Sequence, residues 1–140
     1  MENLKFRISH AEDDSDAEEI HAMLRAFNRQ NREAVQELPL KLYYEDEEGK
    51  KLAGLVGEFF GNWLCIEYLF VSEELRGKGI GRQLVETAET EARNHGCQFA
   101  FVDTFDFQAP LFYEKLGYKE EFVLREYPYS GSRHYYTKKL

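Results

Sequence analysis

The stretch ELRGKGIGRQL (residues 74–84) sets glycines at 77, 79 and 81 in a basic segment and runs straight into a helical pattern. Ile80, Leu84, Val85, Ala88 and Ala92 share one face of that helix, and Gly96 stands where its C-terminal cap belongs. The first N–H groups of a helix have no intrahelical partner, and the helix dipole adds partial positive charge there. Glycines remove the Cβ atoms that would hold a bulky anion away from those donors, and Arg76, Lys78 and Arg82 add formal charge. The segment therefore reads as a phosphate cradle formed by Arg76, Gly77, Lys78, Gly79, Ile80, Gly81 and Arg82. It is not a Walker loop, because no GxxxxGK[ST] is present. Nor is it the GxGxxG dinucleotide fingerprint, since Arg82 occupies the place of the third glycine.

Working outward, residues 3–10 read as a strand, and Asp14 or Ser15 caps a helix carrying Ile20, Met23, Leu24 and Phe27. A polar helix or loop covers 28–37. Residues 38–45 and 51–60 form a hairpin across the acidic EDEEGK turn. WLCIEYLFV (63–71) is apolar on both alternating faces, the pattern of a central strand covered from both sides. CQFAFVDTF (97–105) repeats that pattern, QAPLFYEKLG forms a short helix ending at Gly117, and 118–126 and 134–139 read as two last strands. The expectation is one α/β domain over 1–140, with a mixed, mostly antiparallel sheet of about six to seven strands flanked by helices.

Composition narrows the function classes. A formal net charge of −8 argues against nucleic acid and anionic membranes as partners. The acidic runs at 12–19, 45–48 and 119–121 read as solvated faces and turns, with a mild bias toward cationic ligands. Cys65 and Cys97 give neither a disulfide framework nor a metal knuckle, and the four histidines add no ligand spacing, so no metal is expected. The N-terminus lacks the apolar core of a signal peptide, and the expected location is cytoplasmic.

RGKGIG (76–81) resembles the Arg/Gln-x-x-Gly-x-Gly/Ala signature of the GNAT N-acetyltransferase family, with Arg76, Gly79 and Gly81 at its fixed positions. IEYLFV (66–71) resembles that family's central strand, and FQAPLFYEKLGY (107–118) its second motif. The resemblance implies that the anion is the pyrophosphate of acetyl-CoA, the acetyl donor. It also implies that the pantetheine arm pairs with the strand edge at Phe70 and Val71, where the strand splays from its neighbour. The implied activity is transfer of acetyl to a primary amine of a small molecule or peptide by direct attack in a ternary complex. A non-catalytic CoA-binding sensor and a nucleotide-binding regulator are the alternatives. A homodimer through a C-terminal strand is compatible with the fold.

Acyl transfer to an amine that is mostly ammonium at neutral pH needs a proton acceptor, and the departing thiolate needs a proton. Glu67 is the only charged residue in 63–71, and burial there would raise its pKa toward that of a base. A structural glutamate paired to a buried Arg, Lys or Tyr is the other reading. Tyr113 matches the family tyrosine whose hydroxyl lies near the coenzyme sulfur, the candidate acid. Where the family carries a pantetheine-binding Asn this chain has Asp106, read as a helix cap, and Gln108 is expected to supply the amide. Cys65 as a nucleophile and His134 as a base are second choices, with core or satisfied-strand roles favoured for both. Tyr43, Tyr44, Phe59, Phe60, Tyr127 and Tyr129 are candidates to line an acceptor cleft.

Overall fold

The structure, a computed structural model, describes residues 3–140. Its chain divides into an N-terminal unit ending at Ala34 and a second unit, Val35–Leu140.

In the N-terminal unit, α1 (Ser15–Asn31) begins where the Asp14 side chain accepts the Asp16 N–H at 2.9 Å. Asp16 and Glu18 place negative charge in the first turn, against the positive end of the helix dipole. The strand expected at 3–10 is not formed. Alternating Leu4, Phe6 and Ile8 give that segment the strand pattern, but a strand exists only through a ladder, and residues 4–10 join none. The polar stretch at 28–37 is the last turn of α1, irregular chain to residue 36, and Glu37 at the start of the next strand.

In the second unit six strands order as β1-β2-β3-β4-β6-β5. They are β1 (Glu37–Glu45), β2 (Lys51–Phe60), β3 (Trp63–Val71), β4 (Phe99–Phe105), β5 (Lys119–Arg125) and β6 (Ser132–Lys139). All neighbours are antiparallel except β3 and β4. That parallel pair requires a crossover, which α2 (Ile80–Asn94) provides; α3 (Pro110–Lys115) follows β4. The β1–β2 turn closes on Asp46, whose Oδ1 accepts the N–H groups of Glu48 and Lys50 at 2.9 Å each.

Alternation on β2 sends Ala53, Leu55 and Phe59 to one face, joined by Leu64 and Ile66 of β3 and Ala100 and Val102 of β4. The stripe Leu84, Val85, Ala88 and Ala92 of α2 is buried in the same core. Each Leu or Val so buried stabilises the fold by roughly 1.5–3 kcal/mol. Among the described residues, no helix is long and apolar enough to cross a membrane.

Candidate active site

The site begins with a mismatch in strand register. Val56 pairs with Tyr68 and Gly57 with Ile66, so Glu67 is the extra residue of a β-bulge on β3. Gly57 makes the bulge possible, because a Cβ there would lie 2.4 Å from the Cys65 carbonyl oxygen. On the other side of β3 the parallel ladder to β4 runs only from Trp63–Phe99 to Ile66–Val102. Both strands continue past it unpaired with each other. The two strands then frame a cleft of about 300 Å³, lined by residues 66–70 and 102–104 with Gln108, Ala109 and Tyr113.

This geometry corrects two sequence expectations. β3 is not covered throughout, since Glu67, Tyr68 and Phe70 are exposed. Glu67 is therefore a rim carboxylate and not a buried one: it alternates with buried Leu64 and Ile66 and stands just past the last rung to β4. Its carboxylate makes no hydrogen bond or ion pair among the described residues, which also removes the structural ion-pair reading.

Tyr113 lies deep in the cleft, 6% exposed, edge-on to Phe112 and Tyr118. Burial, with the negative charge of Asp103 nearby, pushes its phenol from 10.0 to about 12. The hydroxyl holds its proton at any physiological pH and is available as a donor.

The glycine loop leaves the open end of β3. Gly77 and Gly79 both have positive φ, 76° and 77°, and Gly79 is the N-cap of α2. A Cβ at either would meet no atom within 4 Å, so the space in front of the helix N-terminus is open and suits a pyrophosphate. Gly81 differs: a Cβ there would touch the Phe112 ring at 3.4 Å and Val71 at 3.6 Å, which relates this glycine to packing of α2 on α3. Arg76 Nε donates to the Val71 carbonyl at 3.1 Å and folds the loop back onto β3. Arg82 pairs with Glu86, whereas Lys78 has no partner among the described residues.

Gln108 spends its carbonyl on the β4–α3 turn, accepting the Phe105 N–H at 2.7 Å and the Thr104 hydroxyl at 3.1 Å. Its amide nitrogen remains as a donor on the cleft wall. Asp106 does not cap α3, whose N-cap is Ala109; the Asp106 carboxylate instead lies where a Cβ at Gly131 would meet it at 2.9 Å.

The second choices recede. Burial and the charges of Glu58 and Glu67 raise the Cys65 thiol and keep it from being a ready thiolate. His134 contacts Ser132 Oγ at 2.9 Å and Glu120 at 3.2 Å, a satisfied strand histidine. Phe59 is core, 1% exposed. Tyr127 faces Phe105, and its hydroxyl accepts from Arg133 at 3.0 Å. The described residues contain no group of three or more His, Cys, Asp or Glu arranged to hold a metal.

Residues 6–118 match the acetyltransferase (GNAT) family. The chain belongs to this family. It is 38% identical over 106 residues to the blasticidin-S acetyltransferase of Streptomyces morookaense, covering 73% of this chain and 78% of that one. An acetyltransferase from Bacillus cereus superposes with a TM-score of 0.81 at 32% identity, over 94% of this chain and 98% of the other. At 21% identity the fold is shared with an aminoglycoside 6′-N-acetyltransferase complexed with coenzyme A, TM-score 0.61, covering 91% of this chain and 81% of that one. This GNAT protein is an acetyl-CoA-dependent N-acetyltransferase that moves acetyl to an amine.

One cleft residue and its partner on the neighbouring strand escaped the sequence reading. Asp103 lines the cleft from β4, and Arg133 of β6 pairs with it. The signal was present: Asp103 interrupts the apolar run 97–105 as Glu67 interrupts 63–71.

Proposed function

We propose that this enzyme acetylates a cationic primary amine on a small molecule, with Glu67 as base and Tyr113 as acid. The observation that carries the reading is the cleft itself. It places a buried, protonated phenol and a rim carboxylate on the walls of one opening, and the glycine loop begins where β3 ends.

Acetyl-CoA supplies the thioester. The N–H groups around residues 76–82, with Lys78, hold its pyrophosphate, and the free edge of β3 at Phe70 and Val71 pairs with its pantetheine. The Gln108 amide nitrogen adds a donor to that arm. Glu67, exposed and unpaired, takes the ammonium proton through solvent. Tyr113 donates its phenol proton toward the departing sulfur. The blasticidin-S relative supports an antibiotic-like small-molecule acceptor.

The test is thiol release from acetyl-CoA with blasticidin S, kanamycin, 1,4-diaminobutane and a peptide with N-terminal alanine. Saturable release with a small-molecule amine is expected. Binding of acetyl-CoA with release for none of the four would turn the reading toward a CoA-binding sensor.

A further inference from the structure

Glu67 and Asp103 occupy equivalent places. Each is the first residue beyond the last rung, Ile66–Val102, of the β3–β4 ladder, one on each wall of the cleft. Glu67 swings free, but Asp103 is held. Arg133 sits diagonally across the β4–β6 ladder, two residues before Tyr135, the partner of Asp103. Its Nε and Nη2 both reach Asp103 Oδ2, and its Nη1 donates to the Tyr127 hydroxyl at 3.0 Å. The guanidinium lies 5.4–5.6 Å from the ring centroids of Phe105, Tyr127 and Tyr135, a setting that favours the cation and restricts its movement.

This amounts to more support than a structural ion pair on a sheet surface needs. It directs every contact to one oxygen. Oδ1 takes no hydrogen bond among the described residues, and Asp103 faces a cleft whose other carboxylate is uncompensated.

We infer that Asp103 is the acceptor-positioning residue, its Oδ1 accepting a hydrogen bond from the substrate ammonium on the wall opposite Glu67. The inference rests on the acetyltransferase reading of this cleft and assigns the cationic preference to a named atom. Arg133 is the brace that fixes the carboxylate rotamer. Tyr113 and the glycine loop are left to the donor half of the reaction, so acceptor and donor affinities separate by residue.

The experiment compares wild type, Asp103→Asn, Arg133→Gln and Arg133→Lys with whichever panel acceptor has the highest kcat/KM. Losing one charge-assisted hydrogen bond raises the Asp103→Asn acceptor KM about tenfold, with kcat within about threefold of wild type. The thermal shift given by acetyl-CoA stays unchanged, and the dependence of acceptor KM on ionic strength weakens, Glu67 alone remaining to attract the cation. Arg133→Gln raises KM less, and Arg133→Lys falls between it and wild type. An unchanged KM in Asp103→Asn, or a fall in kcat alone, overturns the inference while the acetyltransferase reading stands. Should Asp103→Asn fail to fold, a wild-type KM in folded Arg133→Gln overturns it equally. Absence of turnover by wild type with all four acceptors fails the function reading itself.

Discussion

Ile66 and Val102 form the last rung between β3 and β4, and beyond it the strands run on without pairing to each other, five more residues in β3 and three in β4. Unpaired backbone inside a sheet would ordinarily be costly. Here the free edge of β3, residues 67–71, faces a cleft, and its backbone groups are available to a ligand.

Tyr113→Phe removes only the hydroxyl, and Phe fits the same aromatic contacts. The variant is expected to lose about 10²-fold in kcat, the usual range for general acid catalysis, with near-wild-type KM for acetyl-CoA. Steady-state kinetics at saturating acceptor checks this. A kcat within twofold of wild type would remove Tyr113 from the proton path.

Alkaline titration should show the same residue. Tyr113 and Tyr136 are both raised from 10.0 to about 12, chiefly by burial. The native state therefore keeps these protons after the unfolded chain has lost them. Their contribution to stability is whole below pH 10 and is lost as pH rises from there toward 12. Urea midpoints measured between pH 9 and 12 should fall, less steeply in Tyr113→Phe and Tyr136→Phe. Equal slopes in all three proteins would contradict the burial account.

At the glycine loop, space and backbone conformation make separate demands. Gly79 has φ 77°, so an L residue there carries roughly 1–2 kcal/mol of strain although nothing blocks its side chain. Gly79→Asn, which tolerates this conformation, should fold and still bind acetyl-CoA, whereas Gly79→Glu should fold with lower stability and show no acetyl-CoA thermal shift. Tight binding by a folded Gly79→Glu would move the pyrophosphate elsewhere.

Glu89 is 3% exposed on α2 and takes both oxygens to Lys138 Nζ at 3.0 Å, with the Tyr118 hydroxyl donating at 2.9 Å. Lys138→Met would strand the buried carboxylate and should cost about 3–5 kcal/mol. The double variant Lys138→Met with Glu89→Leu should recover much of that. Equilibrium urea unfolding distinguishes the two, and a single variant as stable as wild type would refute the uncompensated-charge argument.

Cys65→Ala should keep kcat within about twofold, since a thiol raised above its ordinary range is a poor nucleophile near neutrality. Burst kinetics or an acetylated Cys65 seen by mass spectrometry would instead reinstate a covalent route.

The hairpin, the glycine loop, the α2 stripe and the FYEKLG helix were legible because each rests on local chemistry: turn residues, helical spacing, caps. The segment at 3–10 shows the limit of that information. Its alternation is correct for a strand, but pairing depends on where another edge lies, which no local pattern states. Glu67 shows a second limit. Its place in an apolar run argued for burial, and only the ending of the β3–β4 ladder at Ile66–Val102 leaves it uncovered.

The sequence by itself determined the family, the glycine loop at the mouth of α2 and the place of Tyr113 on α3, since these lie in contiguous motifs whose spacing is set by backbone geometry. Only the tertiary structure decided which charges meet: that Asp103 stands across from Glu67, that Arg133 braces it from two strands' register, and that Gly81 touches Phe112. Those contacts join residues distant along the chain, and strand pairing and helix packing bring them together.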